Sequence, residues 1–171
     1  MHTTAPRNEE YPPFYHPYIA LVFDENLDEF LSIQEQEFAQ MMLKLPKEKG
    51  TYRYRPEKWT IQEVVGHIID TERVMAYRIL CIGRGENKSL PGFEQDDYVK
   101  GGNFNERTIE DLVEEFSYVR KSNLHMVRHL NAEALSRSGI ANEKAITANA
   151  LVYIVAGHMR HHVNILKEKY L

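Results

Sequence analysis

Three histidines fall within five residues of the stretch Ala156-Gly157-His158-Met159-Arg160-His161-His162-Val163-Asn164-Ile165-Leu166. Imidazoles so closely spaced are candidate metal ligands, and the question is which of them can act together. On a helix at 100° per residue, His158 and His162 lie one turn apart and point the same way. Leu151, Val155, Met159, Val163 and Leu166 cluster around that direction, so the pair faces the core. His161 lies about 100° away and points with Arg160, Asn164 and Glu168, toward water. Two inward histidines at this spacing can grip one divalent ion from one helix. The pattern is not the metalloprotease motif, because Met159 stands where that chemistry needs a glutamate base. It is not a di-iron carboxylate site, because the chain contains no Glu-x-x-His. Any further ligand must come from elsewhere in the chain.

The elements that must position this pair are helices. Leu27, Phe30, Leu31, Phe38, Met41, Met42 and Leu45 recur at helical spacing, which predicts a first helix over residues 26–45, ended by Pro46. A second helix starts at Thr60, where Glu63 completes a capping box. Its apolar stripe runs from Ile61 to Ile79 and ends near Gly83. Glu72 sits in the middle of that stripe, where a lone carboxylate is costly. His67 sits at the stripe edge, on a side shared with Thr71 and Arg78, a place that suits a half-buried packing histidine as well as a ligand. A third helix starts at Thr108 and runs to about Leu130, with Arg120 inside its stripe. His125 and His129 repeat the i, i+4 spacing there but point away from the stripe, as solvated side chains. A fourth helix runs from Thr147 to about Lys169, and Gly157 within it marks close packing, since an interior glycine costs roughly 1 kcal/mol relative to alanine.

Residues 84–107 form a long connection, and residues 46–59 and 131–146 shorter ones. A long connection can cross a bundle and join two parallel helices. Four amphipathic helices with this spacing predict an all-α four-helix bundle in which the second and third helices run in parallel. Residues 1–17 carry four prolines and several aromatics, which suits an arm laid on the bundle, with residues 18–171 as a single domain. Asp96, Asp97 and Tyr98 on the crossover are the acid and phenol candidates for catalysis, with solvated loop acids as the plain alternative.

Composition bounds the rest. The 171 residues are 43% apolar and 27% charged, with net charge −4, which argues against a basic nucleic-acid-binding face. No apolar run reaches the length of a membrane span, and the N-terminus lacks the pattern of a signal peptide; a cytoplasmic protein is expected. Cys81 is the sole cysteine, so thiol chemistry here needs a thiol from outside. A homodimer is the commonest oligomer open to such a chain.

With these elements in place, two stretches resemble one family. Residues Trp59 to Arg73 (WTIQEVVGHIIDTER) are similar to the second helix of the DinB-like family, and Gly157 to Leu166 (GHMRHHVNIL) to its fourth-helix motif. Leu90-Pro91-Gly92-Phe93 and Asp96-Asp97-Tyr98 add to the likeness, which covers nearly the whole chain after residue 17. The resemblance implies an up-down-down-up four-helix bundle. It implies a divalent metal, zinc or nickel, on His67, His158 and His162, and so raises His67 from edge residue to ligand. The family includes S-transferases that use bacillithiol, mycothiol or glutathione. A three-histidine centre leaves a coordination position open, as catalysis requires, and its ion can make a thiol or a water nucleophilic near pH 7. The expected function is therefore metal-dependent thiol transfer to an electrophile, or hydrolysis. The competing expectations are a non-catalytic, stress-associated metal-binding bundle, or three histidines serving only as polar core groups.

Overall fold

The computed structural model describes residues 1–171. Short side chains at each N-terminus start the four bundle helices by accepting otherwise unpaired backbone N–H groups. Asn26 caps α2 (Leu27–Leu43), Thr108 caps α5 (Ile109–Arg128) and Thr147 caps α7 (Ala148–Ile165). Thr60 and Glu63 close both halves of the capping box on α3 (Ile61–Gly83). Beyond Ile165 the last helix loosens into a π-turn over Leu166–Tyr170.

The helices form an up-down-down-up bundle. At one end Gln62 of α3 bonds the Arg107 carbonyl just before α5, and at the other Gly83 packs on Leu130, so α3 and α5 run in parallel. Asp28 at the start of α2 pairs with Arg128 at the end of α5, so those two are antiparallel. His67, early in α3, meets His158, late in α7.

Three features depart from the sequence expectation. The crossover is not a bare loop: it carries α4 (Gln95–Gly101) and a 3-10 turn at Phe104–Glu106. Nor is the third connection a simple link. It holds α6 (Ala132–Ser136) and an antiparallel hairpin of β1 (Ser138–Ala141) and β2 (Lys144–Thr147). Asn142 and Glu143 turn the hairpin with φ of 49° and 61°, the left-handed pair that matches strand twist. Leu90 bonds to Ile140 and Asn142, which staples the crossover to the hairpin. The N-terminal segment contributes α1 (His16–Ala20), which packs on α7 so closely that a Cβ on Gly157 would lie 2.0 Å from the Tyr18 carbonyl oxygen.

The interior holds two apolar clusters with a polar layer between them. Each bundle helix crosses that layer once. On α2 it is Gln34, between Leu31 and Phe38; on α3 Glu72, between Ile69 and Met75; on α5 Arg120, between Phe116 and Leu124. Helix α7 contributes the Met159 sulfur, beside His158. Arg120 Nε and Nη2 donate to the two Glu72 oxygens at 2.9 Å each, and Nη1 donates to Gln34 Oε1 at 3.0 Å. Gln34 in turn donates to the Ala156 carbonyl at 3.0 Å. The layer ties all four helices together two residues from the first histidine of α7.

Candidate metal centre

His67 stands two turns into α3, anchored by the capping box below it. His158 and His162 stand on successive turns of α7. The antiparallel packing of the two helices brings all three rings to one point. His67 Nε2 lies 3.0 Å from His158 Nε2, and His162 Nε2 lies 3.1 Å from the same atom. One ligand nitrogen from each ring falls within 4.8 Å of the others. His67 and His158 are buried, at 2% and 8% exposure. The structure thus buries His67 fully, where its place at the stripe edge predicted half-burial. The reason is that the His67 side of α3 is covered by α7 and by Trp59, whose ring tilts against the His67 ring at 4.8 Å between centroids.

The donor set fits a divalent ion. A neutral imidazole carries one N–H, so His158 Nε2 can act as donor or as acceptor but not as both. Two ring nitrogens nevertheless stand within bonding distance of it. A single ion held by the three rings would take one lone pair from each and resolve the conflict. With metal–nitrogen bonds of about 2.0–2.1 Å, tetrahedral ligands sit roughly 3.3 Å apart, close to the two spacings at His158 Nε2. Burial supplies the correct protonation state. It pushes His67 down to about 4 and His162, with help from His67 and His161, down to about 3. His158 is held well below the ordinary histidine range, first by burial and then by its three neighbours. All three rings are neutral at pH 7, with lone pairs available.

The other histidines are excluded by position. His161 is not in the cluster, but it does not reach open water as predicted: it is half-buried, its ring edge-on to Tyr18 at 5.3 Å and to His162 at 5.2 Å. Helix α1 occupies the face that would otherwise be solvent. His125 and His129 are exposed on α5, with a ring nitrogen of His129 2.7 Å from the His125 carbonyl.

His67 and His158 form the floor of a cleft of about 300 Å³ between α3, α1 and the crossover, with His162 behind them. Its walls include Tyr15, Tyr18, Thr71, Arg78 and Phe93, with Glu94 and Gln95 along the crossover side. Asp96, Asp97 and Tyr98, the sequence candidates, do not line it. They are exposed on α4, because the buried face of this short helix is set by Val99, and Tyr98 packs on the outer side of Phe93 at 5.2 Å. Thr71 and Arg78 escaped notice as site residues although they share the His67 side of α3; that shared phase was the available signal. Tyr15, Tyr18 and Glu94 had none, since only tertiary packing brings them here.

Fold and site together define a four-helix-bundle protein with a buried three-histidine centre suited to a divalent metal. The chain belongs to the DinB superfamily, whose family profile matches residues 31–166. Two solved structures share the fold. YfiT from Bacillus subtilis, a probable metal-dependent hydrolase with an unusual four-helix bundle topology, superposes with a TM-score of 0.71 at 16% identity, over 95% of this chain and 89% of its own. A mycothiol-dependent maleylpyruvate isomerase superposes with a TM-score of 0.65 at 12% identity, over 82% of this chain and 60% of its own. At these identities the likeness is one of fold. Among curated proteins none matches the chain in sequence. No helix is long and apolar enough to cross a membrane.

Proposed function

We propose that the protein is a metal-dependent enzyme that activates a small-molecule thiol for transfer to an electrophilic substrate. The observation that carries this reading is the convergence of His67, His158 and His162 on one point, with His67 and His158 lining an open cleft. Three neutral imidazoles would leave a bound divalent ion its full charge and fewer than four protein ligands, the arrangement of a catalytic rather than a closed structural site. Imidazole donors suit zinc or nickel. When bound, such an ion lowers the pKa of a thiol or water to near neutrality and so supplies the nucleophile.

The chain's own residues supply the rest. The three histidines would hold the ion, and Trp59 packs against the His67 ring. Tyr15, Tyr18 and Phe93 exclude water from the walls. Cys81 cannot serve as the nucleophile, since it lies fourteen residues beyond His67, roughly 21 Å along α3, so the thiol comes from solution. Glu94, at the cleft edge, is the carboxylate best placed to move a proton. Hydrolysis is a second reading, favoured by the fold shared with YfiT. Mass spectrometry decides between them after the zinc- or nickel-loaded protein is incubated with a panel of low-molecular-weight thiols and a generic electrophile. The expected product is the thioether adduct. Hydrolysed electrophile without adduct would favour the second reading, and no turnover with any thiol or water would sink both.

A further inference from the structure

The chain buries two guanidinium groups, and they differ in one respect. Arg120 is neutralised by Glu72. Arg78 is as deeply buried, at 3% exposure, and has no carboxylate within ion-pair distance. It donates to the Pro91 carbonyl from Nη2 at 2.7 Å and to the Met75 sulfur from Nη1 at 3.7 Å, with the Tyr15 hydroxyl beside it and the Phe93 ring 6.0 Å away. A guanidinium carries five donors in a planar fork. All of these neighbours are neutral, so no anion compensates its charge, and a buried unpaired charge is expensive to maintain. The one acid near it in the cleft wall, Glu94, is exposed and forms no ion pair with it.

Arg78 lines the same cleft whose floor is formed by His67 and His158. Between them lies a second unsatisfied group. Thr71 Oγ1 is buried with no hydrogen-bond partner, although a helical threonine can usually bond the carbonyl one turn back. His67, Thr71, Met75 and Arg78 follow one another along one face of α3 at helical spacing. The guanidinium reaches back to the level of Met75, eight residues from His67, which places it roughly 12 Å along the axis from the metal ligand. The cleft therefore offers, in line, a nucleophile-activating centre, a free hydroxyl and a guanidinium with donors left over and no anion.

We propose that Arg78 is the anion-recognition residue of this cleft, and that its substrate is a small electrophile bearing a carboxylate. The carboxylate sits on the Arg78 fork in bidentate geometry, Thr71 donates to a polar group midway, and the reacting carbon faces His67 and His158. This rests on the function proposed above, but Arg78 can be tested without the metal.

The experiment is an NMR titration of the full-length, chelator-treated protein with phenylacetate and with phenylacetamide, its uncharged counterpart. The wild type is expected to bind the carboxylate at least tenfold more tightly. Arg78→Gln should abolish that preference, and Arg78→Lys, which keeps the charge without the fork, should keep part of it. A residue that only pins Pro91 and the crossover would change thermal stability in Arg78→Gln and leave the ratio of the two affinities unmoved. Equal binding of acid and amide by the wild type, or an undiminished preference in Arg78→Gln, would overturn the proposal. Arg78→Lys keeps the test decisive if Arg78→Gln does not fold: a reduced preference in a folded Arg78→Lys, partial or complete, would support recognition by the fork. An undiminished ratio there would reduce the role to a point charge and count against the bidentate site. Because no metal is present, failure here is separate from failure to detect thiol transfer.

Discussion

Replacing Glu72 by Gln removes the only anion facing a guanidinium that is 1% exposed. All five Arg120 donors have partners: two on Glu72 at 2.9 Å each, one on Gln34 at 3.0 Å, one on the Leu31 carbonyl at 3.3 Å and one on the Met159 sulfur at 3.1 Å. The charge cannot escape to water, since α2, α3, α5 and α7 enclose it. Breaking one side of such a pair should destabilise by about 3–5 kcal/mol. For a chain of this size that lowers Tm by roughly 6–20 °C. Arg120→Met alone should cost a similar amount, because it strands the Glu72 carboxylate, which accepts otherwise only from Asn123 at 3.2 Å. Glu72→Met with Arg120→Met removes both charges and should lose much less than the sum, since well-packed apolar replacements of buried pairs are often near neutral. A double-mutant cycle by urea unfolding measures this, with an expected coupling above about 2 kcal/mol. Additive losses would refute the reasoning and mean that the polar layer acts only as filler.

Metal content should separate the histidines: His158→Ala should lose stoichiometric zinc or nickel on metal analysis, while His161→Ala keeps it, and equal retention in both would sink the ligand assignment. The metal-free protein should also lose stability as pH falls from 6.5 toward 4. Unfolded histidines take up protons near 6.5, whereas folded His67 and His162 resist until about 4 and about 3. The unfolded state therefore binds more protons in that window, so ΔG of unfolding rises with pH. With His158 included, the slope reaches at most about 4 kcal/mol per pH unit. Urea unfolding at pH 7, 6 and 5 checks this, and a flat profile would show that the three rings are not buried neutral.

Much of this protein is local and therefore legible in its sequence. Helical periodicity alone separates His158 and His162 from His161, and rejects His125 and His129 despite their identical spacing, because side-chain direction on a helix follows from position. The Thr60–Glu63 capping box dictates where α3 begins, and the charges interrupting two apolar stripes require a buried partner each, which Glu72 and Arg120 find in one another. Resemblance to a known family, rather than periodicity, singled out His67. What the sequence withholds is long-range. The ring nitrogens of His67 and His158 meet across 91 residues of chain, a distance no local pattern spans. The four-residue strands are too short to show alternation, and α4 is too short to show a stripe, so the cleft wall fell to Glu94 rather than to Asp96, Asp97 or Tyr98. The exposure of His161 was set by α1, whose approach depends on Gly157 having no side chain. Arg78 is visible in the sequence as an arginine on the His67 side of α3, but only the folded bundle shows that it is buried without an anion.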